Sequence, residues 1–438
     1  GAEDLLIGAT NTHPTAVFLR EGDVFTRAEI NGLINRPEFS EADFAIFDVD
    51  GDRDNDVIAL AGGYENLDGH YFHYLYENKD GEFSRKELPL PAFPASVVRP
   101  FDFDHDGDMD LFIGARIKSE MFPFADDSWI LINEDGFREE NTLNFSMGMV
   151  CDAIWSDYDG DGWEDLIVAR EWNSVLFMKN MQGEGFVSQE LPGIESKHGM
   201  WFSVNSGDFD QDGDPDYILG NLGDNHRFTV SEQYPLSIYP LDLDMNGSMD
   251  PISTGYWKNQ YGIMTEFPIN YMDELAGQSN YFIRKYNEYT AFSYADIEHM
   301  FDSETMSRVI DTFYVHTTSS YILWNQGDHF RWDKLPIQAQ VAPIKKSIIR
   351  DFNQDGYPDV LMAGNDHTFD IGTGYYDANK GLLLMSRDNK PLSDLRFSSQ
   401  TGIILNGMVE SLLYLDGADP LIVAGINRDS LAVYRVNF

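Results

Sequence analysis

Carboxylates at a fixed spacing are the chemical feature this sequence repeats. Six nine-residue segments align without gaps: DVDGDRDND, DFDHDGDMD, DYDGDGWED, DFDQDGDPD, DLDMNGSMD and DFNQDGYPD. Each has Asp or Asn at positions 1, 3 and 5 and Asp at position 9, and five of the six have Gly at position 6. A hard cation such as calcium takes six to eight oxygens at about 2.3–2.6 Å. Alternate side chains of a tight loop converge on one point, a glycine allows the positive φ that turns the chain, and the carbonyl at position 7 faces the same point. The candidate metal ligands are therefore Asp48, Asp50, Asp52, Asp54 and Asp56 in the first loop, and Asp102, Asp104, Asp106, Asp108 and Asp110 in the second. The third offers Asp157, Asp159, Asp161, Trp163 and Asp165, and the fourth Asp208, Asp210, Asp212, Asp214 and Asp216. The fifth offers Asp242, Asp244, Asn246, Ser248 and Asp250, and the sixth Asp351, Asn353, Asp355, Tyr357 and Asp359. An EF-hand would continue to a bidentate Glu at position 12. Here that position is Ala59, Ile113, Val168, Leu219, Ser253 or Met362, so the loop exits into a strand instead.

A single acidic turn could simply solvate a hairpin. Six in register would crowd carboxylates at a cost that a counter-ion relieves. The expectation is Ca2+ at about five or six sites. The loops are not equal. Arg53 stands where glycine is expected, so the first turn should be strained, and the Asp242 and Asp351 loops each carry an Asn ligand. A seventh copy, LDGADPLIVAG at 415–425, has lost most carboxylates and should be empty.

The elements that position the loops follow from the repeat. An apolar stretch follows each loop, and the opening DLLIGAT reads as the tail of a further copy. Units of roughly 50 residues fall in the range of propellers and solenoids. In the unit from Ser96, SVVRPFDF, DLFIGAR, SWILINEDG and FREENTL read as four strands with Asn, Asp and Gly at the turns. That is the size of one four-stranded antiparallel propeller blade. The fold expected is thus all-β, a β-propeller of seven blades (eight by hairpin count) forming a single domain over 1–438. One helical insertion over 270–301 would interrupt it, where the pattern is strand-poor and amphipathic. The loops resemble the FG-GAP repeats of the integrin α-chain propeller. With GMVCDAIWSDYDGDGWEDLIVAREW, GNLGDN, LDLDMNGSMDPI and SSYILWNQGDHF, the chain is similar to bacterial proteins related to cartilage acidic protein and UnbV. The resemblance implies a calcium-stabilised propeller exported from a bacterial cell and usually of seven blades. It implies no reaction.

Composition narrows the partners. The chain has 74 acidic and 30 basic residues, a net charge of −44, and such a field repels nucleic acid and anionic lipid. No apolar run approaches the roughly 20 residues of a membrane span. The single cysteine, Cys151, excludes a disulfide framework within the sequence and sits in an apolar run as a small core residue. The sequence opens as though cut from a longer chain. Motifs for zinc hydrolysis, serine nucleophiles and phosphate loops are absent. Three segments break the repeat and combine aromatics with amides, acids and cations, as ligand pockets do. They contain Arg170, Glu171 and Trp172; His198; and Asn221, Asp224, Asn225, His226 and Arg227. The expected function is a non-enzymatic calcium-binding protein of the periplasm or outer surface that presents a loop face to a protein or glycan. The alternatives are a calcium-dependent polysaccharide lyase and a structural module of a longer chain with no ligand of its own. A lyase would need a base near the metal, for which Arg170, Lys197, His198, His226 and Arg227 are the candidates.

Overall fold

The computed structural model describes residues 3–10, 13–22, 24–33, 40–63, 71–194, 196–368, 374–387, 390–417 and 419–436. Seven antiparallel sheets follow one another along the chain. The first has three strands, Leu5–Ile7, Ala16–Glu21 and Val24–Ala28. The second and third have four each: Ser40–Phe47, Asp56–Gly62, Tyr74–Lys79 and Glu82–Glu87, then Ala95–Phe101, Asp110–Ala115, Ser128–Asn133 and Phe137–Phe145. The fourth comprises Val150–Ser156, Asp165–Asn173, Leu176–Asn180 and Phe186–Gln189, with Gly199–Met200 added to its second strand. The fifth comprises Ser203–Gly207, Asp216–Gly220, Tyr321–Asn325 and Phe330–Lys334. The sixth is Ile344–Arg350, Asp359–Gly364, Leu382–Arg387 and Lys390–Phe397, and the three-stranded seventh is Val409–Leu415, Leu421–Ile426 and Ala432–Arg435. The four strands expected of the unit at Ser96 coincide with those of the third sheet.

The second strand of each of the second to sixth sheets is buried on both faces along nearly its whole length, as in Asp110–Ala115 and Asp359–Gly364. Both faces are covered because every sheet shares an apolar cluster with the next. Leu60 and Leu75 pack on Val98 and Leu111, and Phe112 on Val150 and Leu166. Ile167 and Phe177 pack on Trp201 and Tyr217, Ile218 on Val360, and Leu361 on Ile422. The first sheet meets both ends of the series: Leu5 packs with Leu415 and Leu421 of the seventh, and Leu6 against Val57 and Ala59 of the second.

Residues 221–320 form one insertion between the second and third strands of the fifth sheet. It contains an eighth sheet (Leu236–Tyr239, Ile252–Lys258, Met264–Pro268 and Phe313–Val315) and five short helices, Met272–Gln278, Asn280–Lys285, Tyr289–Ser293, Ile297–Met300 and Ser303–Met306. The helices extend past the expected 270–301, because Asp302 caps a further turn by accepting the amide of Thr305. Leu275, Phe282, Met300 and Phe301 bury against Leu241, Leu243 and Ile252. The Asp242 loop belongs to this inserted sheet, which accounts for its short spacing from the Asp208 loop. Leu236, Ile238 and Val315 of the insertion pack with Trp172, Met200, Leu222 and Phe122. These lie at the ends of the second strands away from the acidic loops.

Ions lace the first strands of adjacent sheets. Arg99 of the third sheet pairs with Asp43 of the second at 2.8 Å and with Asp152 of the fourth at 2.6 Å. Its Nε also donates to the carbonyl of Ala153. Removing the guanidinium would leave Asp152, whose side chain is only 9% exposed, without its cation. Because Arg99 itself keeps some water contact, Arg99→Ala is expected to cost about 2–3 kcal/mol, read as a lower denaturant midpoint at unchanged slope. A midpoint within error of the parent would show that the bridge contributes no net stability.

Candidate functional site

Five of the six loops bring three carboxylates together. Asp48, Asp50 and Asp56 place ligand oxygens within 4.8 Å of one another, as do Asp102, Asp104 and Asp110; Asp157, Asp159 and Asp165; Asp208, Asp210 and Asp216; and Asp242, Asp244 and Asp250. Two oxygens bound to one calcium at about 2.6 Å are at most about 5 Å apart, so the spacing fits a shared cation. In the sixth loop Asn353 takes the position of the middle carboxylate.

Local hydrogen bonding shapes each loop. The position-1 carboxylate accepts two amides, as Asp102 does from Asp106 and Gly107 at 3.1 Å each. Asp157, Asp208, Asp242 and Asp351 repeat that pair. The position-5 side chain accepts the amide at position 7 in every loop. The backbone is left-handed at position 6, as expected, and Gly107 has φ 101° with open space where a Cβ would stand. The glycine is needed for conformation rather than room. Arg53 adopts the same turn at φ 79°, the strained geometry its side chain implied. Position 4 is left-handed too, including His105, Gln211, Met245 and Gln354, a requirement that its varied residues conceal.

The position-9 aspartate anchors the loop to its sheet. Asp110 Oδ2 accepts the Phe103 amide and Oδ1 the amide of Asn133 on the third strand, at 3.2 and 2.8 Å. Burial first, and then the neighbouring carboxylates, push Asp110, Asp165 and Asp216 up to about 7 and Asp359 up to about 6. Lys179 sits in the third loop, paired with Asp159 and with Asp161 at 2.8 Å. This tethered ammonium competes with any ion there.

Sequence reading missed the asparagine that ends the third strand. Asn133 Nδ2 donates to the Val49 carbonyl of the preceding loop, Asn180 to that of Phe103, and Asn325 to that of Tyr158, at 3.0, 2.9 and 2.7 Å. Their Oδ1 atoms accept the turn amides of Gly136, Gly183 and Gly327. The recurrent N-x-x-G or N-x-G after a strand was the available signal.

The other candidates cluster at the opposite strand ends, around the insertion. Arg170 is buried, and its guanidinium bonds the Met147 and Ser174 carbonyls. Glu171 pairs with Arg116 at 2.7 Å, and Trp172 packs in the apolar cluster at 8% exposure. Asn221 is fully buried, accepting from Met200 and Leu222 and donating to Thr317. Asp224 accepts from Thr318 and Ser319, Asn225 donates to the Val341 carbonyl, and His226 meets Thr318 Oγ1 at 2.8 Å. Arg227 lies over the Phe228 ring, and the His198 ring stands 5.0 Å from that of His316. Glu171 and Trp172, together with Asn270, line a cavity of about 480 Å3 beneath the insertion. The degenerate seventh copy, of which residue 418 lies outside the described residues, pairs Asp416 with Arg350 at 2.7 Å.

The FG-GAP-like repeat model matches residues 48–113 and 157–219. No curated protein matches the chain significantly. Among solved structures, the V. cholerae biofilm matrix protein Bap1 is similar over 100% of this chain and 88% of its own, at 10% identity and a TM-score of 0.41. The BBS1N structure in complex with ARL6DN is similar over 90% of this chain and 92% of its own, at 9% identity and a TM-score of 0.34.

The raised position-9 carboxylates set a pH dependence. Their ordinary value is 3.8, so between about pH 4 and 7 the cation-free folded state holds more protons than the unfolded one. That contribution to stability is fully present below about pH 4, is lost progressively as pH rises, and is gone above about 6 to 7. A bound cation must displace those protons, so below about pH 7 its affinity falls by up to about tenfold per pH unit at each such site. Any rise in melting temperature that added calcium produces should therefore be larger at pH 8 than at pH 5. Equal rises at both values would contradict the burial of these groups.

Proposed function

Starting from a chain that carries FG-GAP-like repeats, we propose a calcium-stabilised β-propeller of seven blades that acts by recognition rather than catalysis. One observation carries the proposal: five carboxylate triads recur in the same local geometry, four of them at the same place in successive sheets. Recurrence in four successive sheets suits a structural ion, since a single active site needs no such copies. The seven-blade count draws support from the apolar clusters joining each sheet to the next and the first to the last. Arg20 supports it too. Its amide donates to Asp4 Oδ1 as third-strand amides do to position 9, and its Nη2 reaches the Asp419 carbonyl of the seventh sheet. The acidic oxygens suit calcium, and the modest affinity of extracellular modules, about 0.1–1 mM, suits the periplasm or outer surface of a bacterium. The face built around the insertion, at the strand ends opposite the loops of the second to sixth sheets, would receive a protein or glycan. Of the bases named for a lyase, Arg170 is taken up by backbone carbonyls and His226 by Thr318, which favours recognition over that alternative.

Ligand bound only to the folded state adds about 2.7 kcal/mol per site at a hundredfold excess over Kd. Calcium should raise the melting temperature, and chelation with EGTA should lower it. Asp106→Ala should reduce the calcium-dependent part of that shift and leave ligand binding intact below the melting transition. A melting curve indifferent to EGTA, in protein shown by elemental analysis to be metal-free, would remove the metal from this account. Loss of ligand binding in folded Asp106→Ala would instead put the ions in a direct functional role.

A further inference from the structure

Within the insertion, an open cleft of about 1140 Å3 separates the hairpin Ile252–Pro268 from the helices that follow it. Four tyrosines line it and remain in water: Tyr261 at 78% exposure on the hairpin turn, and Tyr271, Tyr289 and Tyr294 at 48%, 65% and 61% on the helical side. The same helices bury Phe282 and Tyr286, so the exposed rings are a selected set rather than the outer face of a covering helix. Leaving this much aromatic surface on two facing walls is unfavourable unless something covers it. The charged groups on the helical wall are already engaged. Asp273 accepts the Tyr289 hydroxyl at 2.8 Å, Asp296 holds His299, and Lys285 donates to the carbonyls of His299 and Met300. By contrast, Asn270 Oδ1 is buried with no hydrogen-bond partner among the described residues. Asn270 lines both this cleft and the adjoining cavity of Glu171 and Trp172.

We propose that this cleft binds a neutral polysaccharide chain, an inference that rests on the recognition role above and names its site and ligand class. Flat aromatic faces stack on the apolar faces of sugar rings. The volume exceeds the roughly 300–1,000 Å3 of a single small-molecule pocket, which suits several linked sugars. A net charge of −44 disfavours a polyanion, although Arg227 and Lys258 stand among the lining residues.

The test is native affinity electrophoresis of the full calcium-loaded chain through gels containing laminarin, mannan, xylan or dextran, with alginate and casein in parallel. At least one neutral polymer should retard the protein. Tyr261→Ala and Tyr294→Ala, on opposite walls and mostly exposed, should each weaken that binding about tenfold with the melting temperature unchanged. Retardation by none of the neutral polymers, or by alginate alone, overturns the proposal. Retardation by casein alone, lost in the two variants, makes the cleft a protein site; it overturns the glycan assignment and leaves the recognition role standing. Neutral-polymer binding that survives both substitutions places the glycan elsewhere and likewise overturns the cleft. Failure of the recognition scaffold itself would show separately, as a melting curve insensitive to calcium.

Discussion

Repulsion among converging carboxylates is the constraint around which this fold is arranged. Two charges 4.8 Å apart repel by about 3 kcal/mol at an effective dielectric constant of 20. Each triad contains three such pairs, and five triads together would exceed the 5–15 kcal/mol by which domains are stable. Backbone amides offset part of this, since each position-1 and position-9 carboxylate accepts donors fixed by the turn. Two outlets remain. In the cation-free state the position-9 carboxylate takes up a proton more readily, because burial, and then the like charges beside it, lift Asp110 and Asp216 up to about 7. With a divalent cation, all three ionise and the repulsion becomes attraction. The third loop adds a partial outlet of its own in Lys179.

The loops do not act singly, because their backbone is shared across sheet boundaries. Asn133 belongs to the Asp102 loop through its amide and to the Asp48 loop through its side chain. Asn180 and Asn325 make the same two attachments one sheet further on each time. Ordering one loop thus fixes the strand end that holds its neighbour. The sixth sheet has Ser386 in this place, whose amide still reaches Asp359, and a serine side chain is too short for the bridge. The sixth loop is joined to the fifth differently, by Gln211 of the Asp208 loop, whose Nε2 donates to the Gly356 carbonyl at 2.6 Å.

What was legible in the sequence was whatever is written in side-chain type at fixed spacing. Position 9 declares itself because only Asp satisfies both a cation and two amides, and the apolar run after it must be a strand buried on both faces. The left-handed position 4 was hidden, since His105, Gln211 and Met245 accept that backbone at a modest cost and share no chemistry. The insertion was legible as helical because its pattern loses period two. Its true extent, 221–320, was not, because the eighth sheet carries a loop of the same kind as the others. The loop-face candidates illustrate a different limit. Arg170 and Asn221 stand out by type, yet both are absorbed in backbone hydrogen bonds. The exposed tyrosines of the insertion could be told from the buried ones only once the helices were packed.

In the fourth sheet, distance along a single strand separates the acidic loop from the insertion. Asp165 opens a strand that ends at Asn173, and Trp172 lies seven residues on from the carboxylate. At about 3.3 Å per residue that is about 23 Å, far beyond any direct contact between a bound cation and a ligand under the insertion. An ion in the loop can act there only through the rigidity of the strand, whose residues from Asp165 to Trp172 are buried on both faces. Such a strand transmits position, not charge. The ions would thus govern whether the far face exists in a defined shape, and the insertion, anchored on Trp172, Met200 and Leu222, would govern what that shape accepts.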